Sequence, residues 1–372
     1  QLMQGIFQKE NTDKALKYGI YRHLPIYEKI IRNLVSFYIK IKINRREENI
    51  DMNKKAAIVA AIAIIGLVTV FALGGSKKNE SKTSENSNNT IKITHNLGET
   101  DVKLNPKKVV VFDYSALDTM DALGVAENLV GLPKASLPAS LEKYKDKKYT
   151  DLGGLKEPDL EGIKSANPDL IIINGRQEDF YEQLSKIAPT ISTSKDDKKY
   201  LESVKNNIDK IAKIFGVEEK ANQEFSKIEK KIETLNKKVT DKNLNALTIM
   251  VNEGNLSVFG EESRFSILYN SFGFENKDKN IKESSHGQNI TFEYIAKQNP
   301  EVMFVIDRGI ATGSDVKESS TAKSVLNNDI IKSMDAYKND NIIYLDSPTW
   351  YVNDGGLTSL NKMIDDASKA VN

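Results

Sequence analysis

The chain contains no cysteine among its 372 residues, and it contains only three histidines. The lack of cysteine excludes disulfide frameworks, thiolate zinc sites, iron–sulfur clusters and cysteine nucleophiles. Two of the histidines, His95 and His286, lie in the body of the chain beyond residue 90. Two are too few for the multi-histidine pattern that is common in zinc and manganese receptors, so a receptor for either of these metals is disfavoured.

Motifs of the common nucleotide-binding and hydrolytic enzymes are also missing. The sequence has no P-loop, no GxGxxG after a predicted strand, no HExxH and no GxSxG. It therefore offers no recognisable nucleophile, general base or phosphate cradle. We expect a protein that is not an enzyme and that holds no permanently bound cofactor, with an α/β enzyme of unknown chemistry as the less favoured alternative.

The charge is nearly balanced over the chain but uneven along it. The formal net charge is +1, and hydrophobic residues make up 39%, an ordinary value for a globular protein. Residues 1–55 carry 12 basic and 6 acidic side chains, whereas the residues after Ser76 carry 41 and 46. This mildly acidic body disfavours binding to nucleic acid.

An uncharged segment near the N-terminus predicts export from the cytoplasm. Residues 56–75 contain no charged side chain and follow directly on Met52-Asn53-Lys54-Lys55. Residues 52–76 are therefore typical of a bacterial signal sequence, with a transmembrane anchor as the alternative. Either interpretation predicts that the body of the protein lies outside the cytoplasm.

The segments around this signal are predicted to lie outside the working fold. Met52 begins a complete signal sequence, so we expect residues 1–51 to be an upstream extension. Ser76 follows the segment at the place where a lipoprotein carries its lipid-accepting cysteine, which argues against a lipid anchor. Residues 77–90 are rich in serine, asparagine and lysine, a composition that predicts a flexible tether.

Short apolar runs alternate with helical patterns over the rest of the chain. This alternation is typical of buried parallel strands joined by crossover helices, and it predicts an α/β protein. We expect two lobes, residues 91–197 and 243–372, each with a central, mainly parallel sheet flanked by helices. Residues 198–242 are expected to be linking helices, including a long spine helix from Glu218 to Lys242. The apolar runs are residues 109–112, 170–173, 247–251, 302–306 and 342–345.

Two segments of the chain match each other at a constant offset of 132 residues. Residues 160–176 and 292–308 each contain a short helical pattern, an Asn-Pro turn, an apolar run and a final arginine. Arg176 and Arg308 therefore follow the carboxyl ends of predicted strands, where open α/β sheets bind their ligands. The match predicts a diverged duplication with one copy in each lobe.

Arginine is scarce outside the N-terminal segment. After Ser76 the chain has 38 lysines but only three arginines, namely Arg176, Arg264 and Arg308. Guanidinium groups stay charged and present a planar fork of donors, which suits anionic oxygens in a partly desolvated site. We predict that the three arginines face the cleft between the lobes and bind an anion. The alternative is that they are ordinary surface or salt-bridge residues.

Three further side chains are candidates for the same cleft. Trp350 and Tyr351 follow the last predicted strand, and His286 lies in the loop before the second repeat. Tyrosine phenolate is a hard oxygen donor suited to ferric iron, and imidazole is a good partner ligand. We predict that Trp350 contacts the ligand. The alternative for the Trp-Tyr pair is an aromatic cap on the core.

Together these features resemble the class III periplasmic-type binding proteins of the iron–siderophore, haem and cobalamin importers. The resemblance covers residues 91–372 and rests on the sequence VVVFDYSALDTMDALGV at residues 109–125, the signal sequence, the paired Asn-Pro repeats, the spine helix and the order of the Arg, His and Tyr candidates. Within that family the chain is most similar to the binding proteins for catecholate siderophores of Gram-positive and epsilon-proteobacteria.

The resemblance implies a role for each candidate residue. Arg176, Arg264 and Arg308 would surround the catecholate oxygens, as three cations suited to a ferric tris-catecholate of charge −3. His286 and Tyr351 would complete the coordination of ferric iron when the siderophore supplies only four donor atoms. Ferric iron would then arrive as part of the ligand and not as a resident cofactor.

The resemblance also implies partners. It describes a monomeric, membrane-tethered substrate-binding component that delivers its ligand to an ABC permease with its ATPase. Glu161 and Glu293 occupy equivalent positions in the duplication, and the resemblance implies that one glutamate on each lobe docks onto the permease. A haem or cobalamin receptor of the same fold is the alternative.

Overall fold

The computed structural model describes residues 89–282, 284–315 and 317–372. The predicted upstream extension (residues 1–51), the predicted signal sequence or anchor (52–76) and nearly all of the predicted tether (77–90) lie outside these residues. No helix in the described ranges combines the length and the hydrophobicity that a membrane span requires.

The first lobe is built on a parallel sheet. Its strands and helices are, in chain order, β1 (Thr90–His95), β2 (Gly98–Lys103), β3 (Val109–Val111), α1 (Tyr114–Leu123), β4 (Leu129–Leu132), β5 (Thr150–Asp151), α2 (Leu160–Ala166), β6 (Leu170–Ile173), α3 (Tyr181–Ser185) and β7 (Thr190–Ser192). Strands β3 to β7 form a five-stranded sheet in the order β5-β4-β3-β6-β7, in which every neighbouring pair is parallel. Strands β1 and β2 form a separate antiparallel hairpin.

Strand β6 shows why the central strands are continuous apolar runs. Leu170 and Ile172 pack into one hydrophobic cluster, whereas Ile171 and Ile173 pack into another on the opposite face of the sheet. Successive side chains of a strand point to opposite faces, so a strand that is covered on both faces needs apolar residues at every position.

Two helices, α4 (Tyr200–Phe215) and α5 (Glu218–Asp241), connect the lobes. Helix α5 has 24 residues, which makes it about 36 Å long at 1.5 Å per residue. Near its start, Lys220 Nζ donates to the Leu123 carbonyl oxygen of the first lobe (2.9 Å), and near its end, Asn236 Nδ2 donates to the Ser271 carbonyl oxygen of the second (3.0 Å). Its buried side chains recur at helical spacing: Ala221, Phe225, Ile228, Ile232, Leu235 and Val239.

The second lobe contains a larger, mixed sheet. Its elements are β8 (Asn245–Asn252), β9 (Asn255–Phe259), α6 (Ile267–Asn270), β10 (Glu275–Asn276), β11 (Gln288–Ile290), α7 (Phe292–Gln298), β12 (Val302–Asp307), α8 (Arg308–Thr312), α9 (Ala322–Val325), α10 (Asp329–Lys332), α11 (Asp335–Lys338), β13 (Ile342–Tyr344), α12 (Ser347–Tyr351) and α13 (Leu357–Ser368). The sheet runs β11-β9-β8-β12-β13, with β10 also paired to β8. Strands β8, β10, β12 and β13 are parallel, whereas β9 and β11 are antiparallel to their neighbours.

A tight turn explains the antiparallel strand β9. Glu253 and Gly254 both have positive φ angles, of 50° and 86°, as the two central residues of a type I′ hairpin turn require. Asn252 and Asn255 are paired on either side of the turn. Strand β9 therefore returns antiparallel and directly beside β8, as an exception to the mainly parallel order that the apolar runs predict.

The predicted duplication is present in the fold. Helix α2 is capped by Asp159 and helix α7 by Thr291, each through its side-chain oxygen. Both helices end at an asparagine in the left-handed conformation, Asn167 with φ 48° and Asn299 with φ 43°. The proline that follows each asparagine cannot continue the helix, so the chain enters the next buried strand, β6 or β12.

A buried carboxylate ties the first lobe to the last helix of the second. Asp118 of α1 is 2% exposed, and its Oδ2 accepts hydrogen bonds from the backbone N–H groups of Thr358 (2.8 Å) and Ser359 (3.0 Å) at the start of α13. This contact satisfies two of the free donors at a helix N-terminus. It also requires a glycine at position 356, because a Cβ atom there would lie 2.1 Å from Asp118 Oδ2.

Replacing Gly356 with alanine is expected to lower the free energy of unfolding by about 2 kcal/mol, because the new methyl group must displace Asp118. Unfolding in guanidinium chloride measures this change. Gly154→Ala is the matched control, since a Cβ atom there has no neighbour closer than 3.9 Å, and it should change the free energy of unfolding by less than about 0.5 kcal/mol. Equal effects of the two substitutions would contradict the close approach of Asp118 to Gly356.

Candidate functional site

Arg176 is held at the carboxyl end of strand β6 by a capped 3₁₀ turn. The turn spans Gly175–Phe180, and Asn174 caps it by accepting a hydrogen bond from the backbone N–H of Arg176 (2.9 Å). Asn174 is itself fixed, because its Nδ2 donates to the buried carboxylate of Asp113 (3.2 Å). The backbone of Arg176 therefore has a defined position at the strand end, as the sequence predicted.

The two other arginines come from the second lobe. Arg308 is the first residue of α8, directly after strand β12, and Asp307 caps that helix by accepting from the backbone N–H of Ile310 (3.0 Å). Arg264 lies in the loop before α6, next to Ser263, whose hydroxyl donates to the Gly260 carbonyl oxygen (2.8 Å). Each arginine thus emerges from a loop or helix start whose backbone is hydrogen bonded.

The three guanidinium groups converge on Tyr351, the last residue of α12. Arg176 Nη2 and Arg264 Nη2 each donate to the Tyr351 carbonyl oxygen at 2.7 Å. Arg308 Nε donates to the Tyr351 hydroxyl at 3.2 Å, and Arg308 Nη1 donates to Asn252 Oδ1 at 3.2 Å. The structure therefore brings both lobes together at one tyrosine, and four of the predicted site residues meet there.

The aromatic ring of Tyr351 also lies among the three cations. The guanidinium carbon of Arg264 is 4.2 Å from the ring centroid, and those of Arg176 and Arg308 are 5.9 and 6.0 Å away. These distances fall within the usual range of cation–π attraction. Two guanidinium groups lie at the Tyr351 carbonyl oxygen and one lies at its hydroxyl. The cluster therefore has a strong excess of positive charge.

This charge changes the acidity of the Tyr351 phenol. Burial is the largest single influence and raises the pKa, but the hydrogen bond from Arg308 and the charges of Arg264, Arg308 and Arg176 together outweigh it. The pKa of Tyr351 therefore lies below its ordinary value. A phenol with a lowered pKa yields phenolate more readily, and phenolate is the form that binds ferric iron.

Two charged residues of the cluster were not predicted from the sequence. The Asp354 carboxylate is buried, with Oδ2 at 3.5 Å from Lys195 Nζ and Oδ1 at 3.7 Å from Arg264 Nη2. The Tyr200 hydroxyl donates to Asp354 Oδ2 at 3.0 Å. Burial favours the neutral acid, but Lys195, Arg264 and Arg176 outweigh it and lower the pKa of Asp354. Lys195 follows β7, at the same sheet edge as Arg176, but β7 has only three residues and no predicted apolar run marked it.

Trp350 does not lie with this cluster, and the prediction that it contacts the ligand is wrong. Its side chain is 1% exposed, packs in the largest hydrophobic core cluster and donates from Nε1 to Asp366 Oδ2 at 3.2 Å. Consecutive residues of a helix point about 100° apart. Trp350 therefore faces the core, whereas Tyr351 faces the arginines and its partly buried side chain packs only against the edge of the core.

His286 lies on an exposed turn before strand β11. Its neighbour Gly287 has a φ of 75° and approaches the ring of Phe259, where a Cβ atom would lie 2.7 Å from two ring carbons. Among residues 89–282, 284–315 and 317–372, His286 makes no contact with the three arginines. Its role in metal binding stays a prediction. Across the same residues, no group of three or more His, Asp or Glu side chains could hold a metal ion.

Glu161 and Glu293 occupy equivalent places on the two lobes. Each is the second residue of a seven-residue helix, α2 or α7, and each side chain is exposed. Hydrogen bonds to its own backbone and to Thr291 lower the pKa of Glu293. Both glutamates are therefore accessible at equivalent places on matching helices.

A concavity of about 680 Å³ lies beside helix α4. It contains none of the three arginines. Its charged lining residues are of both signs, so it lacks the one-sided charge of the arginine cluster. They are Lys92, Lys195, Lys210, Lys213, Glu178, Asp196 and Asp209.

The sequence profile of the periplasmic binding protein family matches residues 109–349. This span covers more than half of the chain. The chain belongs to the periplasmic binding protein family. The predicted α/β fold, with its two lobes and long connecting helix, is thus confirmed as that of a class III binding protein.

Relatives of this binding protein share most of its length. The petrobactin-binding protein YclQ of Bacillus subtilis is 45% identical over 82% of this chain and 96% of its own. The crystal structure of YclQ superposes with a TM-score of 0.73 and 46% identity, over 76% of this chain and 99% of that one. The catecholate-siderophore binding protein VctP of Vibrio cholerae gives a TM-score of 0.71 at 35% identity, over 75% and 99%. The ferric-anguibactin-binding protein FatB of Vibrio anguillarum is 30% identical over 85% and 98%.

Tyr351 is expected to ionise at a lower pH than an ordinary tyrosine, and Arg308→Gln should raise its pKa because that variant loses a donor and a charge. The difference in near-ultraviolet absorbance between the wild type and Tyr351→Phe, followed against pH, measures this pKa. Since the folded pKa is depressed, ionised Tyr351 stabilises the fold fully above the unfolded pKa of about 10, and this contribution is lost as the pH falls through the folded pKa.

Lys238→Gln, which removes an exposed positive charge from α5, serves as the control for the Tyr351 titration. It should leave the pKa of Tyr351 unchanged. An Arg308→Gln variant that titrates like the wild type would show that Arg308 does not act on the phenol.

Proposed function

We propose that this chain is the substrate-binding component of an ABC importer and that it captures a ferric siderophore, of the catecholate type, at the junction between its lobes. The observation that carries this proposal is the convergence of three guanidinium groups on Tyr351. A ferric tris-catecholate carries a charge of −3, and cations fixed in a partly desolvated site can offset that charge without paying to reorganise water.

The names of the relatives support the same class of ligand. YclQ is described as binding petrobactin, VctP as binding catecholate siderophores and FatB as binding ferric anguibactin. In each of these comparisons the match extends over nearly the whole length of the relative. Their shared theme is an iron–siderophore complex, and the arginine cluster supplies the physical reason for an anionic one.

Iron in this proposal is cargo. The siderophore brings the ferric ion, and a siderophore that supplies only four donor atoms leaves two positions on the metal open. Tyr351, with its lowered pKa, is one proposed donor for these positions. His286, on its exposed turn, is the other.

The proposal includes a place of action and partners. The uncharged segment 56–75 favours an extracytoplasmic protein tethered to the membrane. Glu161 and Glu293 present one carboxylate on each lobe, and we assign them to docking on the permease, which works with its ATPase. The chain is proposed to act as a monomer, without nucleic acid.

Titration of the full-length chain with ferric tris-catecholate, ferric hydroxamate, haem and cobalamin tests the ligand assignment. Quenching of Trp350, the sole tryptophan, reports binding. We expect the catecholate to bind most tightly and Arg308→Gln to weaken it by about 30-fold or more, since removal of one partner from a desolvated charge contact costs about 2 kcal/mol or more.

Lys238→Gln removes the same charge at an exposed position and is the control for this titration. It should change the affinity less than about twofold. Tighter binding of haem or cobalamin would replace the siderophore assignment, and failure to bind any of the four ligands would refute it.

Glu161→Lys and Glu293→Lys test the docking role. Each variant should bind ferric catecholate like the wild type, whereas uptake of radioactive iron by cells with the cognate permease should fall, because the new charge repels basic groups on the permease. Glu229→Lys, on the exposed face of α5, is the control and should support normal uptake. Normal uptake by both docking variants, and by the double variant, would overturn the assignment.

A further inference from the structure

The Asp354 carboxylate lies behind the arginine cluster in a position that opposes the ligand's charge. It is 5% exposed, and it belongs to a site that we propose binds an anion. A fixed negative charge there repels the ligand, and its burial is itself costly. Simple charge counting therefore predicts that the site would bind an anion better without Asp354.

The contacts of Asp354 show what the carboxylate does instead. Arg176 Nη2 and Arg264 Nη2 share one carbonyl oxygen at 2.7 Å each, so two cations are held close together. Burial first, and then the charge of Arg264, lowers the pKa of Arg176, and Asp354 is the largest influence in the opposite direction. The carboxylate thus offsets the mutual repulsion of the two guanidinium groups.

Asp354 does this without occupying the donors of Arg264. Its Oδ1 is 3.7 Å from Arg264 Nη2, which is longer than a hydrogen bond. Arg264 Nε is buried and has no hydrogen-bond partner among the residues that the structure describes. Asp354 therefore balances the charge of Arg264 by proximity, without a hydrogen bond to its guanidinium group.

The loop that carries Asp354 is fixed tightly against the first lobe and α4. Gly355 has a φ of 91°, and a Cβ atom there would lie 2.8 Å from Val204 Cγ2 and 3.3 Å from both Lys195 Cδ and the Tyr200 hydroxyl. The Tyr200 hydroxyl donates to Asp354 Oδ2 at 3.0 Å. This close packing gives the carboxylate one defined position.

We infer that Asp354 is a positioning residue: it holds Arg264 and Arg176 on the Tyr351 carbonyl so that the arginine cluster is assembled before the anionic ligand arrives. This inference rests on the proposed function. Preassembly matters because a site whose cations must first be brought together loses affinity by the free energy of that rearrangement.

The isosteric variant Asp354→Asn distinguishes positioning from charge by the sign of its effect. It removes one negative charge, so charge counting alone predicts tighter binding of ferric tris-catecholate. Positioning predicts weaker binding, by about 10- to 100-fold, as is usual for residues that orient a binding group. Affinity is measured by quenching of Trp350 in the full-length chain, together with the affinity for a neutral ferric hydroxamate.

Asp278→Asn is the matched control. Asp278 accepts hydrogen bonds from Tyr294 (2.6 Å) and Gln298 (3.2 Å) of helix α7, so its loss should lower stability without changing affinity. Tyr200→Phe is the second variant: it removes only the hydroxyl that orients Asp354 and should weaken catecholate binding by about threefold. If Asp354→Asn does not fold, the affinity of Tyr200→Phe tests the positioning role of Asp354 in its place.

The outcomes separate the inference from the function on which it rests. If the wild type binds none of the ferric complexes, the proposed function fails. If the wild type binds the catecholate and a folded Asp354→Asn binds it equally or more tightly, only the positioning role is overturned. If Asp354→Asn is unfolded and Tyr200→Phe binds like the wild type, the positioning role is overturned as well.

Discussion

Like charges held at close range are the constraint on which this site depends. Arg176 and Arg264 donate to the same carbonyl oxygen, and Arg308 donates to the hydroxyl of the same residue, Tyr351. Such an arrangement is unfavourable unless something offsets the repulsion. The Tyr351 carbonyl dipole, its aromatic ring and the buried carboxylate of Asp354 do so here. The site is thus assembled around fixed dipoles and one balancing anion, and its excess positive charge remains for the ligand.

The fold supplies the rigidity that this arrangement needs. Strands β6 and β12 are equivalent parts of the duplication, and each is followed within three residues by an arginine whose backbone lies in a capped turn or helix. Helix α5 contacts both lobes, and Asp118 joins α1 to the start of α13. Because several independent contacts fix the lobes to each other, the three arginines keep their relative positions.

Arg176 and Arg308 could be predicted because two signals coincided at them: a residue type that is scarce after Ser76 stood just past a predicted strand. Arg264 had only the first of these signals and Tyr351 only the second. The fold brings all four residues together. The error at Trp350 has a simple cause, since neighbouring residues in α12 face in different directions and no pattern in five residues shows which one faces the core. Strand β9 was harder to predict, because Glu253-Gly254 is not one of the Asn-Gly or Asp-Gly pairs that mark a type I′ hairpin turn.

Asp354 and Lys195 could not be identified in this way. Lysine is common in this chain, and aspartate in a loop is most often solvated. Their importance depends on tertiary contacts, such as the hydrogen bond from Tyr200 to Asp354 across 154 residues of sequence. Local patterns carry no information about such contacts. The long-range partners of a charged residue, not its type, decide whether it supports the site.

The dependence on Tyr351 has a consequence for how binding competence arises during folding. The hydrogen bonds that Tyr351 receives join it to residues 175, 87 and 43 positions earlier in the chain. Contacts of such high sequence separation form late, since a long loop must close before they contribute. A partly synthesised or partly folded chain contains the arginines but lacks the residue that gathers them, so affinity for the anion is acquired only when the C-terminal segment joins the fold.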